Sequence, residues 1–132
     1  MQVLFHGIDV VEVERIAEML RRHEDRFLER VFTPAEQAYA RRHRGLAQRL
    51  AGRFAVKEAV LKLLGTGWRN GLAWTDIETT NNPMGRPVVR LTGEALRLAD
   101  EKGVDRVCVS ITHAAGLAIA SVVALGRCEP PD

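Results

Sequence analysis

Three charged residues in the sequence have side-chain types and a spacing that suit chemistry on a phosphate group. Asp9 follows a strand-like segment, residues 3–8, while Glu58 lies within a predicted helix and Lys62 follows one helical turn later. Two carboxylates provide too few ligands for calcium, but they suit magnesium, which keeps several waters and takes further ligands from substrate phosphates. The residues alone therefore predict a magnesium-dependent enzyme or binder of a phosphate-rich molecule.

The element that positions Glu58 is a predicted helix over residues 50–64. It is rich in Ala, Leu, Lys and Glu, has no Pro, and is followed by Gly65, which suits a left-handed cap. Its apolar or small side chains fall on almost every side, which is typical of a buried helix. A seam on which another backbone can lie close is formed by Ala51, Ala55 and Ala59. The alternative role for Glu58 and Lys62 is an ordinary salt bridge between successive turns.

Hydrophobic periodicity and turn residues predict the other elements. Helices are expected over 11–23, 34–44 and 93–102, and strands over 3–8, 71–79, 88–91, 107–112 and 117–125. Thr33 and Glu36 form a capping box around Pro34 at the start of the second helix. The last two strands are separated by a short Gly-containing segment, which indicates a hairpin. Trp68 and Trp74 are expected to pack against other residues instead of binding a ligand.

Composition limits the class of protein. The chain has 132 residues, 46% hydrophobic and 27% charged, which predicts one soluble globular domain over residues 1–132. We expect neither a signal peptide nor a membrane partner, because no apolar run approaches the ~20 residues of a membrane span. Cys108 and Cys128 have no metal-binding spacing, which excludes a zinc cluster and favours a cytoplasmic location.

Positive charge is concentrated between residues 41 and 62. Seven basic residues lie there against one acidic residue, a local net charge of +6 that suits the phosphates of a nucleotide or of a nucleic acid. Aromatic residues are only 5% of the chain, and no aromatic residue alternates with these arginines to stack on bases, so we expect no nucleic-acid partner. His113, at a predicted strand end, either contacts a phosphate or satisfies a turn.

The first predicted helix carries a second basic feature. Arg15, Met19, Arg22 and Arg26 recur on one side of it, opposite its apolar face. A basic stripe with a methionine in it suits docking to an acidic partner helix. The alternative is an ordinary solvent-facing surface.

An ordered series of short motifs resembles one family over nearly the whole chain. The motifs are Gly-Ile-Asp at 7–9, Arg-Ile at 15–16, Phe-Thr-Pro-Ala-Glu at 32–36, Arg-Phe-Ala-Val-Lys-Glu-Ala at 53–59 with Lys62, Gly-Thr-Gly at 65–67, Asp-Ile-Glu at 76–78, Gly-Arg-Pro at 85–87 and Val-Ser-Ile-Thr-His at 109–113. Together they resemble holo-[acyl-carrier-protein] synthase, the single-domain kind of 4′-phosphopantetheinyl transferase.

The resemblance implies a reaction and a set of residues for it. Such enzymes transfer 4′-phosphopantetheine from coenzyme A to a serine of apo acyl carrier protein, release adenosine 3′,5′-bisphosphate and support fatty acid biosynthesis. Asp9 and Glu58 match the Mg²⁺ ligands, and Lys62 matches a lysine near the transferring phosphate. Glu58 is also the first candidate for the base, directly or through a metal-bound water. The positions that match the coenzyme A site are Arg44, Arg53, Gly65, Gly85, Arg86, Pro87 and His113.

The resemblance also implies a partner surface and an architecture. Arg15, Met19 and Arg22 match the positions at which the family contacts its carrier protein. The fold implied is α+β, a small antiparallel sheet packed on a long central helix. Members of this size form homotrimers with active sites at the subunit contacts.

Overall fold

The computed structural model describes residues 1–67 and 71–127 and has an α+β architecture. Its elements are β1 (Gln2–Glu12), α1 (Val13–Val31), α2 (Pro34–Arg42), α3 (Leu46–Leu64), β2 (Ile77–Asn81), β3 (Pro87–Leu91), α4 (Gly93–Glu101), β4 (Val104–Ala114) and β5 (Leu117–Gly126). Three strands form an antiparallel sheet in the order β1-β5-β4, and β2 pairs with β3 in a second antiparallel sheet. The predicted α+β class is confirmed, with two small sheets where one was expected.

Helix α3 lies at the centre of the molecule, as its sequence predicts. Thirteen of its 19 residues are buried, because apolar side chains cover nearly all of its circumference. Gly65 ends it in a left-handed conformation, with φ 72°, and its N–H donates to the carbonyls of Leu61 and Lys62. The helix begins four residues earlier than predicted, directly after Gly45.

The three-stranded sheet packs on α3 through small residues. Alternate residues of β5 are fully buried on the inner face of the sheet: Ala118, Ala120, Val122 and Ala124. On β1, a Cβ atom at Gly7 would lie 2.1 Å from the carbonyl oxygen of Ala59, so only glycine fits there. The predicted seam of small residues on α3 therefore lies close to β1 at Ala59, the residue after Glu58.

Strand β1 is longer than the sequence indicated. It continues to Glu12, with Val10 and Val11 paired to Ile119 and Ala118 of β5. The prediction that the strand ends at Asp9 is therefore wrong: Asp9 lies inside the strand, because the β-branched residues after it extend the pairing. Asp9 is therefore carried by strand backbone that is hydrogen-bonded to β5.

Helix α1 is also longer than predicted and is bent. His23 has non-helical dihedral angles (φ −140°, ψ 30°), and helical structure resumes beyond it to Val31. The second half was missed because the apolar face is interrupted at the bend; Phe27 and Leu28 are buried after it. None of the described helices combines the length and the apolar character that crossing a membrane needs.

The segment before β2 differs from the prediction as well. A strand over 71–79 was expected, but residues Trp74–Asp76 form a 3₁₀ turn and the strand begins at Ile77. The carboxylate of Asp76 accepts from the N–H of Ala73 at 3.1 Å, which stabilises the turn. Trp74 stacks on Phe54 with ring centroids 5.0 Å apart, which confirms its packing role. Trp68 and Cys128 lie outside the described residues.

Candidate active site

Asp9 and Lys62 form an ion pair where β1 crosses α3. The ammonium of Lys62 donates to Asp9 Oδ1 at 2.9 Å and to the carbonyl of Ile8 at 3.0 Å. The Lys62 side chain is 58% exposed and that of Asp9 is 15% exposed. An ammonium has three donors, so Lys62 retains one for a ligand. The pair therefore lies at an accessible edge of the molecule.

Glu58 lies half-buried on α3, one turn before Lys62. Burial raises its carboxyl pKa first and the negative charge of Asp9 raises it further, while Arg15 and Lys62 lower it. Glu58 lies one turn before Lys62 on α3 and Lys62 contacts Asp9, so the two carboxylates belong to the same region of the molecule. In the described part of the chain no salt bridge joins Glu58 to Lys62, because Lys62 contacts Asp9 instead.

The donor set of this site fits a hard divalent cation. Two carboxylates that repel each other lie on neighbouring elements, and both are partly accessible. Across residues 1–67 and 71–127 no group of three or more His, Cys, Asp or Glu side chains could hold a metal. A cation bound by Asp9 and Glu58 would therefore take its other ligands from water or from a substrate phosphate, which is how Mg²⁺ is commonly held.

Lys57, the residue before Glu58, has a role that the sequence analysis missed. Its side chain is completely buried, and its ammonium donates to Glu36 Oε1 at 2.8 Å and to the carbonyls of Trp74 and Ile77. Burial lowers the pKa of Lys57, and the Glu36 carboxylate opposes that effect. The signal was present in the sequence, since a lysine on a helix that is apolar all round needs a buried partner.

The carboxylate of Glu36 has further partners besides Lys57. Its Oε1 accepts from the N–H of Thr33 at 3.0 Å, and its Oε2 accepts from the N–H of Thr79 at 3.0 Å. The Thr33 hydroxyl accepts from the Glu36 N–H at 3.2 Å, so the predicted capping box is confirmed. Glu36 thereby connects the start of α2 with α3 and β2.

Arg53 is buried as well, and it contacts the turn between β2 and β3. Its guanidinium lies over the ring of Tyr39, 3.8 Å from the centroid, and donates to Asn81 Oδ1. Asn81 Nδ2 in turn donates to the carbonyl of Gly85 at 2.9 Å. Burial lowers the pKa of Arg53. Because Arg53 and Lys57 are both buried, the basic run over 41–62 is not one continuous charged surface.

The turn that carries Gly85 and Arg86 is held by its own side chains. Asn82 Oδ1 accepts from the N–H of Met84 and from the N–H of Arg86, both at 2.9 Å. Gly85 has φ 84°, which favours glycine. Gly85, Arg86 and Pro87 line a groove of about 1120 Å³ between β3, α4 and β4, and none of Asp9, Glu58 and Lys62 lines it. Within a single chain, the predicted metal residues and this part of the predicted coenzyme A site therefore do not share one groove.

The other predicted coenzyme A residues lie along α3. His113 Nε2 lies 3.0 Å from the carbonyl oxygen of Gln48 and must donate to it, which leaves Nδ1 for another partner. Arg44 is exposed just before α3 begins, whereas Gly65 is exposed where it ends, beside Lys62. The predicted residues thus occupy both ends of one helix.

A second cavity, of about 410 Å³, lies beside α1 and includes two of the three predicted partner residues. Arg15 and Met19 line it, together with His23, Arg26, Phe27, Arg30, Phe54 and Trp74. Arg22 is not among its lining residues and pairs with Glu18 at 2.7 Å. Arg30 was not predicted because the helix was expected to end at His23, whereas helical structure resumes after the bend and reaches the cavity.

Comparisons with known proteins identify the family of this chain. Residues 6–120 match the model of the 4′-phosphopantetheinyl transferase superfamily. Relatives named holo-[acyl-carrier-protein] synthase include one from Desulforudis audaxviator, 45% identical over 96% of this chain and 96% of the relative, and one from Solibacter usitatus, 44% identical over 89% and 94%. The Helicobacter pylori holo-[acyl-carrier-protein] synthase in complex with coenzyme A superposes with a TM-score of 0.80 and 33% identity, over 91% of this chain and 99% of that one.

The family match, the sequence alignments and the structural superposition each extend over most of the chain. This chain belongs to the 4′-phosphopantetheinyl transferase superfamily and, within it, to the holo-[acyl-carrier-protein] synthases.

Proposed function

We propose that the protein transfers the 4′-phosphopantetheine group of coenzyme A to a serine of an apo acyl carrier protein, with Mg²⁺, in support of fatty acid biosynthesis. The observation that carries this proposal is the contact of Lys62 with Asp9 where β1 packs on α3, with Glu58 one helical turn before Lys62. The coenzyme A complex of the Helicobacter pylori relative supports coenzyme A as the donor.

The chemistry is displacement at the β-phosphorus of coenzyme A. The serine oxygen forms a bond to this phosphorus, and the bond from the phosphorus to adenosine 3′,5′-bisphosphate breaks. Asp9 and Glu58 would hold Mg²⁺, which when bound neutralises charge on the pyrophosphate. Lys62 has a donor available beside Asp9 and would stabilise charge on the transferring phosphate. The Glu58 carboxylate would receive the serine proton, directly or through a water.

The cavity beside α1 is proposed as the docking site for the carrier protein. Arg15 and Met19 give it cationic and apolar character, and the Arg15 guanidinium lies 5.6 Å from the ring centroid of Phe54. Such a surface suits an acidic helix that carries apolar side chains. Arg22 is proposed to contact the carrier protein outside this cavity, where it already forms an ion pair with Glu18.

The coenzyme A site is proposed to involve Arg44, Arg53, Gly65, Gly85, Arg86, Pro87 and His113. Since Gly85, Arg86 and Pro87 line a groove that Asp9, Glu58 and Lys62 do not reach, we propose that a complete site combines residues of two copies of the chain. This agrees with the homotrimer expected from the family resemblance. Sedimentation analysis should give the mass of a trimer; a monomer with full activity would contradict this part of the proposal. We place the enzyme in the cytoplasm, with its donor and acceptor.

Mass spectrometry of the carrier protein tests the function. The protein is incubated with Mg²⁺, coenzyme A and an apo carrier, and the matched control is the carrier with its acceptor serine changed to alanine. We expect the apo carrier to gain one phosphopantetheine group and the control to gain none. Unchanged mass of both carriers at high protein concentration would refute the proposal.

A nucleic-acid-binding module is the second candidate function that the basic run over 41–62 raises. It is disfavoured because Arg53 and Lys57 of that run are buried and paired. Tight, salt-dependent RNA binding together with no change in the mass of the carrier would favour it.

A further inference from the structure

The hydrophobic effect by itself does not fix how α3 is rotated about its own axis. Apolar residues surround the helix, and 13 of its 19 residues are buried. Burial of apolar surface is non-directional, so the hydrophobic effect alone favours no single rotation of such a helix about its axis. Glu58 must nevertheless face Asp9 for the two to share a cation. Directional contacts are therefore needed to set the rotation.

Lys57 makes such contacts, one residue before Glu58. Its three N–H donors are all used, by Glu36 Oε1, by the Trp74 carbonyl and by the Ile77 carbonyl. The side chains of Lys57 and Glu36 are both 0% exposed, so water does not compete for these bonds. A rotation of α3 would break all three together.

The acceptors that receive Lys57 are themselves fixed. Glu36 is held by the backbone N–H groups of Thr33 and Thr79, each at 3.0 Å, which belong to the start of α2 and to β2. The groups that hold Lys57 are therefore the Glu36 carboxylate and backbone of the start of α2, the 3₁₀ turn and β2. None of them is an exposed side chain.

A second constraint acts from the other side of Glu58. Ala59 lies against Gly7 of β1, where there is no room for a Cβ atom. Residues of a helix are about 100° apart, so Lys57 and Ala59 flank Glu58 at roughly 200° from each other. The helix is thus held on two sides, by an ion pair and by a close backbone contact, with the Glu58 carboxylate between them.

We infer that the buried pair of Lys57 and Glu36 sets the rotation of α3 and so positions Glu58 for the divalent cation that it shares with Asp9. Both are positioning residues, because neither is placed to contact the reacting atoms. The inference rests on the proposed function in that it takes Glu58 as a metal ligand. It extends that function by giving the site a positioning pair on a neighbouring face of the helix, about 100° from Glu58.

The test compares variants of the full chain by the affinity for Mn²⁺, measured as loss of the free-ion electron paramagnetic resonance signal. The variants are Lys57→Met and the neutral double variant Lys57→Met with Glu36→Gln. The matched control is Lys102→Met, the same change at an exposed lysine after α4. Near-ultraviolet circular dichroism selects conditions in which each variant is folded. We expect the folded variants to bind Mn²⁺ about tenfold more weakly or worse, as for residues that orient metal ligands, and the control to be unchanged.

The kcat for transfer at saturating Mg²⁺ is the second readout. It should fall in the same variants, because excess metal does not correct a misdirected ligand. A folded double variant with Mn²⁺ affinity and kcat within about twofold of wild type would show that the pair is structural only. Should Lys57→Met not fold, Glu36→Gln alone, which keeps an oxygen acceptor, is judged by the same criterion.

The two proposals fail separately in this experiment. If wild type binds Mn²⁺, the pair variants lose it and no carrier is modified, the proposed function is wrong and the positioning role stands. If wild type modifies the carrier and the folded variants bind Mn²⁺ as wild type does, the positioning role alone is wrong.

Discussion

Two lysines on the same helix, five positions apart, form ion pairs of opposite character. Lys57 and Glu36 are completely buried, whereas the Lys62 side chain is 58% exposed and its partner Asp9 is 15% exposed. The buried pair uses every donor of its lysine on protein atoms. The exposed pair leaves a donor available to a ligand. The buried pair suits a structural role, and the exposed pair suits binding of a substrate.

The difference follows from where each lysine faces. Lys57 lies towards α2 and the turn before β2, where the chain covers it on all sides, while Lys62 lies near the end of α3 at the edge of β1. A buried ion pair adds little net stability relative to apolar residues, but losing one partner leaves an uncompensated charge. An exposed pair is worth little in either case. The same substitution should therefore cost more stability at Lys57 than at Lys62.

The largest effect is expected on stability from Lys57→Met. Because it leaves Glu36 buried and unpaired, we expect the free energy of unfolding to fall by about 3–5 kcal/mol. Urea denaturation measures this, with Lys62→Met as the control, for which the expected change is about 1 kcal/mol or less. Equal losses in the two variants would remove the distinction between the pairs.

Lys62→Met is expected to affect catalysis directly, because Lys62 retains a donor for the phosphate. Lys62→Met should lower kcat by about 10²–10³-fold, which is typical for removal of a donor that stabilises charge in the transition state. The KM for coenzyme A should change less than kcat, because the charge that Lys62 would stabilise develops as the bond to the leaving group breaks. Steady-state kinetics at saturating Mg²⁺ measure both constants. A kcat close to that of wild type would mean that the Asp9 contact is the whole role of Lys62.

A smaller effect, on KM for the carrier protein, distinguishes two exposed arginines of α1. Arg15→Glu should raise it about tenfold, because Arg15 lines the cavity beside α1 and would repel an acidic helix. Arg22→Glu should raise it less, because Arg22 already pairs with Glu18 outside that cavity. The double variant should keep the affinity for coenzyme A. If both arginines matter equally, or coenzyme A binding falls in parallel, the cavity is not the docking site.

The smallest effect concerns the pKa of Glu58 in the metal-free protein. Burial and the charge of Asp9 raise it above the usual value, so Asp9→Asn should lower it, whereas Lys62→Met should raise it. Because the folded-state pKa is raised, the ionised form opposes folding, and stability declines as pH rises through that pKa. Glu58→Gln should therefore increase the thermal stability of the metal-free protein at neutral pH. Carboxyl titration by NMR and thermal melts measure these shifts, and an unshifted pKa would contradict the closeness of Asp9 and Glu58.

The sequence alone predicts the central features of the fold well. The apolar character of α3, its glycine cap and the close approach of a backbone at Ala59 of the seam are confirmed, because each depends on local composition or helical spacing. The capping box at Thr33 and Glu36 is confirmed for the same reason. The end of β1 and the bend in α1 were not predicted, since strand pairing and a bend at His23 depend on partners distant in the sequence.

The site was predicted in part. Lys62 lies beside Asp9 and pairs with it and not with Glu58, while the metal and catalytic roles of Asp9, Glu58 and Lys62 stay predictions. Helical spacing alone suggested a Glu58–Lys62 pair, and it could not show that β1 offers a closer carboxylate. The role of Lys57 was missed, since its partner Glu36 is 21 residues away in sequence and is joined to it only by the tertiary fold.

The most direct test of the central claim is the mass of an apo carrier protein after incubation with Mg²⁺, coenzyme A and either the wild type or Glu58→Gln. The account predicts that the wild type adds one phosphopantetheine group to the carrier and that the folded variant adds none in the same time. Modification by Glu58→Gln at a rate near that of the wild type would contradict the account.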